Sequence, residues 1–139
     1  MKLSAKTRYA ARILFCLAQH DKSPVSSSIL SAKTGISAQF IEQILRQLRL
    51  AGITDSVRGA KGGHVLLRKP EEVSFGTILN VMEGGMELST CLNCPDSCER
   101  YSDCEMHDVW GNLQKSLNKA LDSITLEDVF KFSSDGSSC

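Results

Sequence analysis

GISAQFIEQILRQLRLAGITDSVRGAKGGHVLL, residues 35–67, is the stretch that decides the fold. Its first part has the period of an amphipathic α-helix, whose apolar face carries four residues, Ile41, Ile44, Leu45 and Leu48. Ser37 is placed to cap this helix, and Gly35 ends the short apolar segment before it. A short helix, a glycine turn and a second capped helix predict a helix-turn-helix.

The second part of the stretch predicts a β-hairpin. Residues 53–57 and 64–67 have the composition of short strands, and the turn between them, RGAKGG, is rich in glycine and basic. A hairpin directly after a recognition helix is a wing, and Arg58 and Lys61 at its tip can reach into a narrow minor groove. The glycine spacing matches neither the GxGxxG fingerprint nor the Gly-Lys-Ser/Thr ending of a nucleotide-binding loop.

Further helices flank this stretch. Residues 4–19 carry an apolar stripe at helical spacing, within which Cys16 is expected to be a core residue, and the serines at 26–28 can cap a second helix that ends at residue 34. On the recognition helix the exposed residue types suit major-groove readout, because Arg pairs with guanine, Gln with adenine and Glu with cytosine. The candidate DNA-contacting positions are Lys6, Arg8, Tyr9, position 38, Gln39, Glu42, Gln43, Arg46, Arg58 and Lys61. The alternative for the helix alone is an ordinary solvated face.

The charge of the chain is divided between its two halves. Residues 1–70 contain twelve Lys or Arg and three Asp or Glu, a formal charge of +9, whereas residues 71–139 contain four and thirteen, a charge of −9. The basic half is therefore the candidate nucleic-acid face. We predict a DNA-binding region over 1–70, a ligand-binding loop and dimerisation helices over 71–132, and a flexible tail over 133–139.

The acidic half is predicted to be helical around a loop. Ser74 can cap a helix over residues 75–82, and a long helix is predicted to begin near Asp103 or Cys104 and to run to residue 122. An apolar stripe runs along that helix and just past its end, at Val109, Leu113, Leu117, Leu121 and Ile124. So long a stripe favours a dimer seam. The fold class is therefore mainly α, a winged helix-turn-helix with a cysteine-rich loop and a long C-terminal dimerisation helix.

The loop is CLNCPDSCERYSDCEMH, residues 91–107. Its candidate metal ligands are Cys91, Cys94, Cys98, Cys104 and His107. Clustered thiolates select zinc, copper(I) or an iron–sulfur cluster. The sequence shows no signal peptide and no membrane-spanning run, so a cytoplasmic protein with reduced thiols is expected. Cys104 and His107, three residues apart, are predicted to share one face at the start of the long helix.

Together these pieces resemble the IscR/NsrR-type bacterial transcription regulators, the Rrf-two family. The resemblance is carried by MKLSAKTRYAARIL, by ISAQFIEQILRQLRLAGI, by SVRGAKGGHVL, by the Cys98, Cys104 and His107 spacing, and by ITLEDV. It implies a cytoplasmic homodimer, not an enzyme, that binds a double-stranded DNA operator. It also implies an iron–sulfur cluster, of the 2Fe–2S type in preference to 4Fe–4S.

One position departs from that family. Where its best-known members have their first cysteine, six positions before the second, this chain has Leu92, between Cys91 and Cys94. Three ligand sets remain open: Cys91, Cys98 and Cys104 with His107; the same set with Cys94 replacing Cys91; or four thiolates without His107. Two other functions also remain open, a winged-helix regulator with a structural zinc site and an iron–sulfur redox carrier.

Overall fold

The computed structural model describes residues 2–133, in which six α-helices accompany one two-stranded sheet. In chain order the elements are α1 (Ala5–Gln19), α2 (Ser27–Thr34), α3 (Ala38–Leu50), β1 (Thr54–Val57), β2 (Gly63–Leu66), α4 (Phe75–Glu83), α5 (His107–Ser123) and α6 (Leu126–Phe132). Helices α2 and α3 form the helix-turn-helix, and β1 and β2 form the wing. The predicted fold class, mainly α with a winged helix-turn-helix, is confirmed.

Local sequence explains where the first four helices begin. Each follows a serine whose hydroxyl accepts a hydrogen bond from the backbone N–H three residues later: Ser4, Ser26, Ser37 and Ser74. Such a cap contributes about 1 kcal/mol to helix stability. Gly35 ends α2 in the left-handed conformation, with φ of 72°, which a residue with a side chain adopts at a cost.

A single hydrophobic core joins both halves of the chain. Ile13 and Leu14 of α1 are fully buried together with Val73, Ile78 and Leu126, which lie beyond the charge boundary at residue 70. The rings of Phe15 and Phe130 also join α1 to α6, with centroids 4.8 Å apart. Residue 70 therefore separates charge but not packing, and as a functional boundary it stays a prediction. Residues 134–139 of the predicted tail lie outside the described residues.

The last residue of α4 holds the first turn of α1. Glu83 Oε1 accepts hydrogen bonds from the Ser4 N–H at 3.1 Å, from the Ser4 hydroxyl at 2.7 Å and from the Thr7 hydroxyl. These bonds hold the pKa of the Glu83 carboxyl below its ordinary value, the Ser4 hydroxyl contributing most. Glu83 thus links the helix that leads into the cysteine loop to the first helix of the basic half.

The base of the wing is fixed to the segment before α2. The strands are antiparallel, with Thr54 opposite Leu66, and each lies within one residue of its prediction. His64 exchanges two backbone hydrogen bonds with Val25, at 2.9 and 2.8 Å. A Cβ on Gly63 would lie 2.5 Å from the carbonyl carbon of Val25, so the close approach requires glycine there.

The predicted start of the long helix is wrong by about three residues. Tyr101–Asp103 forms a 3₁₀ turn and Cys104 has an extended backbone, with φ of −86° and ψ of 108°, so α-helical bonding cannot begin there. The helix starts at His107 instead, and Trp110 N–H donates to the Met106 carbonyl. Cys104 therefore lies outside α5 and does not share a helical face with His107.

Helix α5 lies on the surface of the chain along its whole length. None of its seventeen residues is buried. Val109, Leu113 and, just past the helix end, Ile124 are each 44 to 46% exposed.

No helix within residues 2–133 combines the length and apolar character needed to cross a bilayer.

Candidate nucleic-acid interface and cysteine loop

The outer face of α3 is polar and open to solvent. Its inner face is buried through Ile41, Ile44, Leu45 and Leu48, which fixes the rotation of the helix. As a consequence four predicted contact residues, Gln39, Glu42, Gln43 and Arg46, are all exposed. Together with Arg49 and His64 they line one shallow depression between α3 and the wing. This surface presents hydrogen-bond donors and acceptors from a rigid helix.

Position 38 is an alanine, so this candidate has no side-chain group that can donate or accept a hydrogen bond. The serine of this turn is Ser37, and its hydroxyl accepts from Phe40 N–H at the start of α3. Ala38 is exposed and offers a methyl group. The candidate at position 38 is therefore corrected to an apolar one.

The predicted residues of α1 divide into exposed and packed side chains. Arg8 is exposed, whereas Lys6 and Tyr9 are half-buried. The Tyr9 ring packs edge-on against Phe40 of α3, with centroids 5.6 Å apart. Arg12, which was not predicted as a site residue, lies over the Tyr9 ring, with its guanidinium carbon 6.0 Å from the ring centroid. It also donates to the Thr34 carbonyl at 3.1 Å. Tyr9 and Arg12 thus hold α1 against the helix-turn-helix.

Both predicted wing-tip residues are accessible. Arg58 and Lys61 lie in the turn between β1 and β2, and their side chains are exposed. The turn needs small residues, since a Cβ on Gly62 would lie 2.1 Å from the Val57 carbonyl oxygen. The tip therefore carries two cations on a tight turn whose base is fixed to the rest of the chain.

Ser27, Glu42 and His64 form a hydrogen-bonded cluster that the sequence did not predict. The Ser27 hydroxyl donates to Glu42 Oε1, and His64 Nε2 lies 3.1 Å from Ser27 Oγ and 3.3 Å from Glu42 Oε1. The bond from Ser27 holds the pKa of Glu42 below its ordinary value against the opposing effect of burial, with His64 adding a smaller effect in the same direction as Ser27. Glu42 is therefore an ionised acceptor at neutral pH.

The cysteine loop runs over the surface in three short 3₁₀ turns, Thr90–Leu92, Pro95–Ser97 and Tyr101–Asp103. Cys94 is exposed, and Cys91, Cys98 and Cys104 are partly exposed. The His107 ring packs edge-on against Tyr101, with centroids 4.7 Å apart. Within residues 2–133, no three Cys, His, Asp or Glu side chains are grouped closely enough to hold a metal ion.

The chemistry of the donor set fits a soft metal centre even though the donors are not grouped. Four thiol sulfurs and one imidazole occur within seventeen positions, and all five side chains are at least partly accessible. Cys91 Sγ lies 3.1 Å from the Ser89 hydroxyl, and no three of these five donors, all within the described residues, are grouped closely enough to share a metal ion. Holding a metal would therefore require the loop to change its conformation.

Gln114 of α5 holds the segment that leads into this loop. Its side-chain Oε1 accepts from Leu88 N–H at 2.8 Å, and its Nε2 donates to the Met86 carbonyl at 2.6 Å. The segment that precedes the loop is therefore held against α5. The same segment continues, through Gly84 and Gly85, from Glu83, which bonds to the first turn of α1.

Comparison with a family model matches residues 3–131 to Rrf2, described as an iron-dependent transcriptional regulator. Among curated proteins, the chain is 32% identical to the HTH-type transcriptional regulator IscR of Aliivibrio salmonicida over 130 residues, covering 93% of this chain and 77% of the relative.

Two solved structures are similar along nearly the whole chain. The IscR of T. potens has a TM-score of 0.77 and 34% identity, and the match covers 100% of this chain and 93% of that one. CymR of B. subtilis, described as the global cysteine regulator, has a TM-score of 0.80 and 32% identity, and the match covers 96% of this chain and 98% of that one. These relatives carry the names of regulators and not of enzymes.

Proposed function

The chain belongs to the Rrf2 family of transcriptional regulators, and from that premise we propose that it binds operator DNA as a homodimer and adjusts this binding through an iron–sulfur cluster on its cysteine loop. In this proposal residues 1–70 read the DNA. Residues 71–132 hold the cluster and the dimer interface.

The exposed polar face of α3 beside the basic wing is the observation that carries DNA reading. Gln39, Gln43 and Arg46 are accessible on a helix whose opposite face is buried, and major-groove readout needs such residues on a rigid helix. Arg58 and Lys61 extend the same half toward a neighbouring groove. The charge of +9 over residues 1–70 supplies the attraction to phosphate.

DNA reading is tested by selecting duplexes from a randomised pool with the full-length protein. Affinity for a selected duplex, followed by fluorescence anisotropy, should fall about 10³- to 10⁵-fold between about 50 and 200 mM salt if the dimer makes about 6 to 10 phosphate contacts. A shuffled duplex of the same composition is the matched control. Equal affinity for both duplexes, or binding that does not change with salt, would contradict the proposal.

The cluster would be held by Cys98 and Cys104 with Cys91 or Cys94, and by His107 unless all four thiolates serve. When bound, it would supply a redox-active and oxygen-sensitive centre. The residues around it would provide the connection to DNA: Gln114 ties the segment just before the loop to α5, and Glu83 ties the preceding helix to the first turn of α1, which bears Arg8. Reordering of the loop can therefore alter the placement of both α5 and the DNA-binding half.

The test of the cluster combines its spectrum with operator affinity. Protein purified anaerobically should be brown or red and contain iron and sulfide, and Cys98→Ala and Cys104→Ala should lose the colour and change operator preference. Cys16→Ala is the matched control, because Cys16 is buried in the core and should affect neither property. Cys139→Ser, at a position outside the described residues, is a second control with the same expected result. A colourless protein with one zinc per chain would instead support the structural-zinc alternative. Unchanged operator preference in Cys98→Ala would refute the coupling.

The homodimer is supported by the exposed apolar residues of α5. Val109, Trp110 and Leu113 are 38 to 46% exposed in the single chain. A second copy that covers this face would remove these side chains from water. A pseudo-palindromic operator with two half-sites is the expected DNA partner of such a dimer.

A further inference from the structure

The cluster of Ser27, Glu42 and His64 joins three separate elements beside the proposed DNA-reading surface. Ser27 begins α2, Glu42 lies on the outer face of α3, and His64 lies in β2 at the base of the wing. His64 has 15% of its side chain exposed, whereas Glu42 has 58%. The exposed Glu42 carboxylate is therefore hydrogen-bonded to the Ser27 hydroxyl and the His64 imidazole, and both of these groups belong to elements fixed by the fold.

The hydrogen bonds identify the protonated nitrogen of His64. The single hydroxyl proton of Ser27 is donated to Glu42 Oε1, so Ser27 Oγ can only accept from His64. Because the Glu42 carboxylate also only accepts, the proton that links His64 to both must lie on Nε2. Both donors therefore converge on one oxygen, Oε1, and Oε2 remains for an external donor.

We propose that Ser27 and His64 are positioning residues that fix the Glu42 carboxylate so that Oε2 accepts from the exocyclic amine of a cytosine. This inference rests on the proposed reading of DNA by α3. The inference adds two residues, Ser27 and His64, that need not touch DNA but would set the base preference of the protein at one position of the operator. The backbone bonds between His64 and Val25 hold the imidazole in place, so the wing contributes to reading by the recognition helix.

The physical reason is the flexibility of a glutamate side chain. An exposed Glu has three rotatable bonds, and ordering it on binding costs conformational entropy. The cluster imposes that order before DNA arrives. Without it, the carboxylate is free to turn toward the two guanidinium groups of the same depression, Arg46 and Arg49. Pairing with either of them would remove both an acceptor and a donor from the surface.

The experiment measures discrimination by full-length variants on one duplex selected by the wild type, and on versions in which each base pair is replaced in turn. Ser27→Ala and His64→Phe should each lower the preference for C·G at one position by about 3- to 10-fold, while affinity elsewhere stays within about twofold. His64→Gln should restore most of this preference, because its amide can donate from a similar place. Ser28→Ala is the matched control, since that exposed neighbour bonds to Ser26 and not to Glu42.

Glu42→Ala separates failure of this inference from failure of the proposed function. If Glu42→Ala removes the same preference and Ser27→Ala adds nothing in that background, the positioning role is supported. If Glu42→Ala changes the preference but Ser27→Ala and His64→Phe do not, the positioning role is refuted and base reading by Glu42 stands. If Glu42→Ala changes no base preference, both the positioning role and the reading by Glu42 are refuted. A uniform loss of affinity in His64→Phe would assign His64 a purely structural role.

Discussion

Removal of the Glu83 carboxylate should destabilise the chain in a way that depends on pH. In Glu83→Ala the Ser4 N–H, the Ser4 hydroxyl and the Thr7 hydroxyl lose their common acceptor. Three bonds to a carboxylate would be worth several kcal/mol in a dry interior, but Glu83 is exposed and water competes for it. Because Thr7 is 5% exposed and its hydroxyl is poorly reached by water, we expect a loss of about 1 to 2 kcal/mol in the free energy of unfolding.

The sign of the pH dependence follows from the direction of the pKa shift. Hydrogen bonds lower the pKa of Glu83 in the folded chain below its ordinary value of 4.5. The stabilisation is therefore complete above pH 4.5 and is lost as the pH falls through the lowered value, where the folded carboxylate is protonated. The difference in stability between wild type and Glu83→Ala should shrink across that range.

Thermal and denaturant unfolding, followed by circular dichroism at a series of pH values, measure this effect. At pH 7 the melting temperature of Glu83→Ala should be lower by about 3 to 8 °C. Glu87→Ala is the matched control, because Glu87 accepts one exposed bond from Asn93. Glu83→Gln keeps an oxygen acceptor without a charge. Its melting temperature at pH 7 should lie between those of the wild type and Glu83→Ala, and it should not show the pH-dependent loss of stability. A melting temperature of Glu83→Ala equal to that of the wild type at pH 7, or a difference that stays constant into acid, would refute the reasoning.

Three further substitutions test the proposed DNA surface and dimer. Arg46→Ala should reduce discrimination at particular base pairs by about 1 to 3 kcal/mol in an affinity series on substituted operators; uniform weakening would place this guanidinium on phosphate instead. Arg58→Ala should weaken operators with A·T-rich flanks more than those with G·C-rich flanks in footprinting, and equal losses would argue against minor-groove insertion. Leu113→Glu should convert the dimer to monomer in sedimentation, while Lys115→Glu on the same helix should not; an unchanged dimer in Leu113→Glu would exclude this face as the interface.

Features set by neighbouring residues were predictable from the sequence. The serine caps within residues 26–28, at Ser37 and at Ser74, and the glycine end of α2, depend on a few adjacent positions, and the helices are found there. The wing was predictable for the same reason, since a glycine-rich turn lies between two short segments with the composition of strands. The exposed polar face of α3 followed from its period alone.

Features that depend on distant residues were not predictable. Ser27, Glu42 and His64 are 15 and 22 positions apart in sequence, and no local pattern brings them together. The start of α5 was misplaced because an aspartate before an amphipathic run usually indicates a helix start, whereas Asp103 is taken up in a 3₁₀ turn. Whether the loop thiols converge on a cluster, and which of them do so, stays a prediction.

The two backbone bonds between His64 and Val25 have a consequence for the DNA itself. A wing whose base is tied to the segment before α2 can tilt to follow grooves of different width only by breaking these two bonds. Where an operator does not fit the spacing between α3 and the wing, the duplex must bend or twist instead. Deforming a site costs about 1 to 6 kcal/mol, depending on the stiffness of its base steps. Base pairs that no side chain contacts should therefore contribute to operator choice through their flexibility, with flexible pyrimidine–purine steps favoured between the two grooves proposed for α3 and the wing.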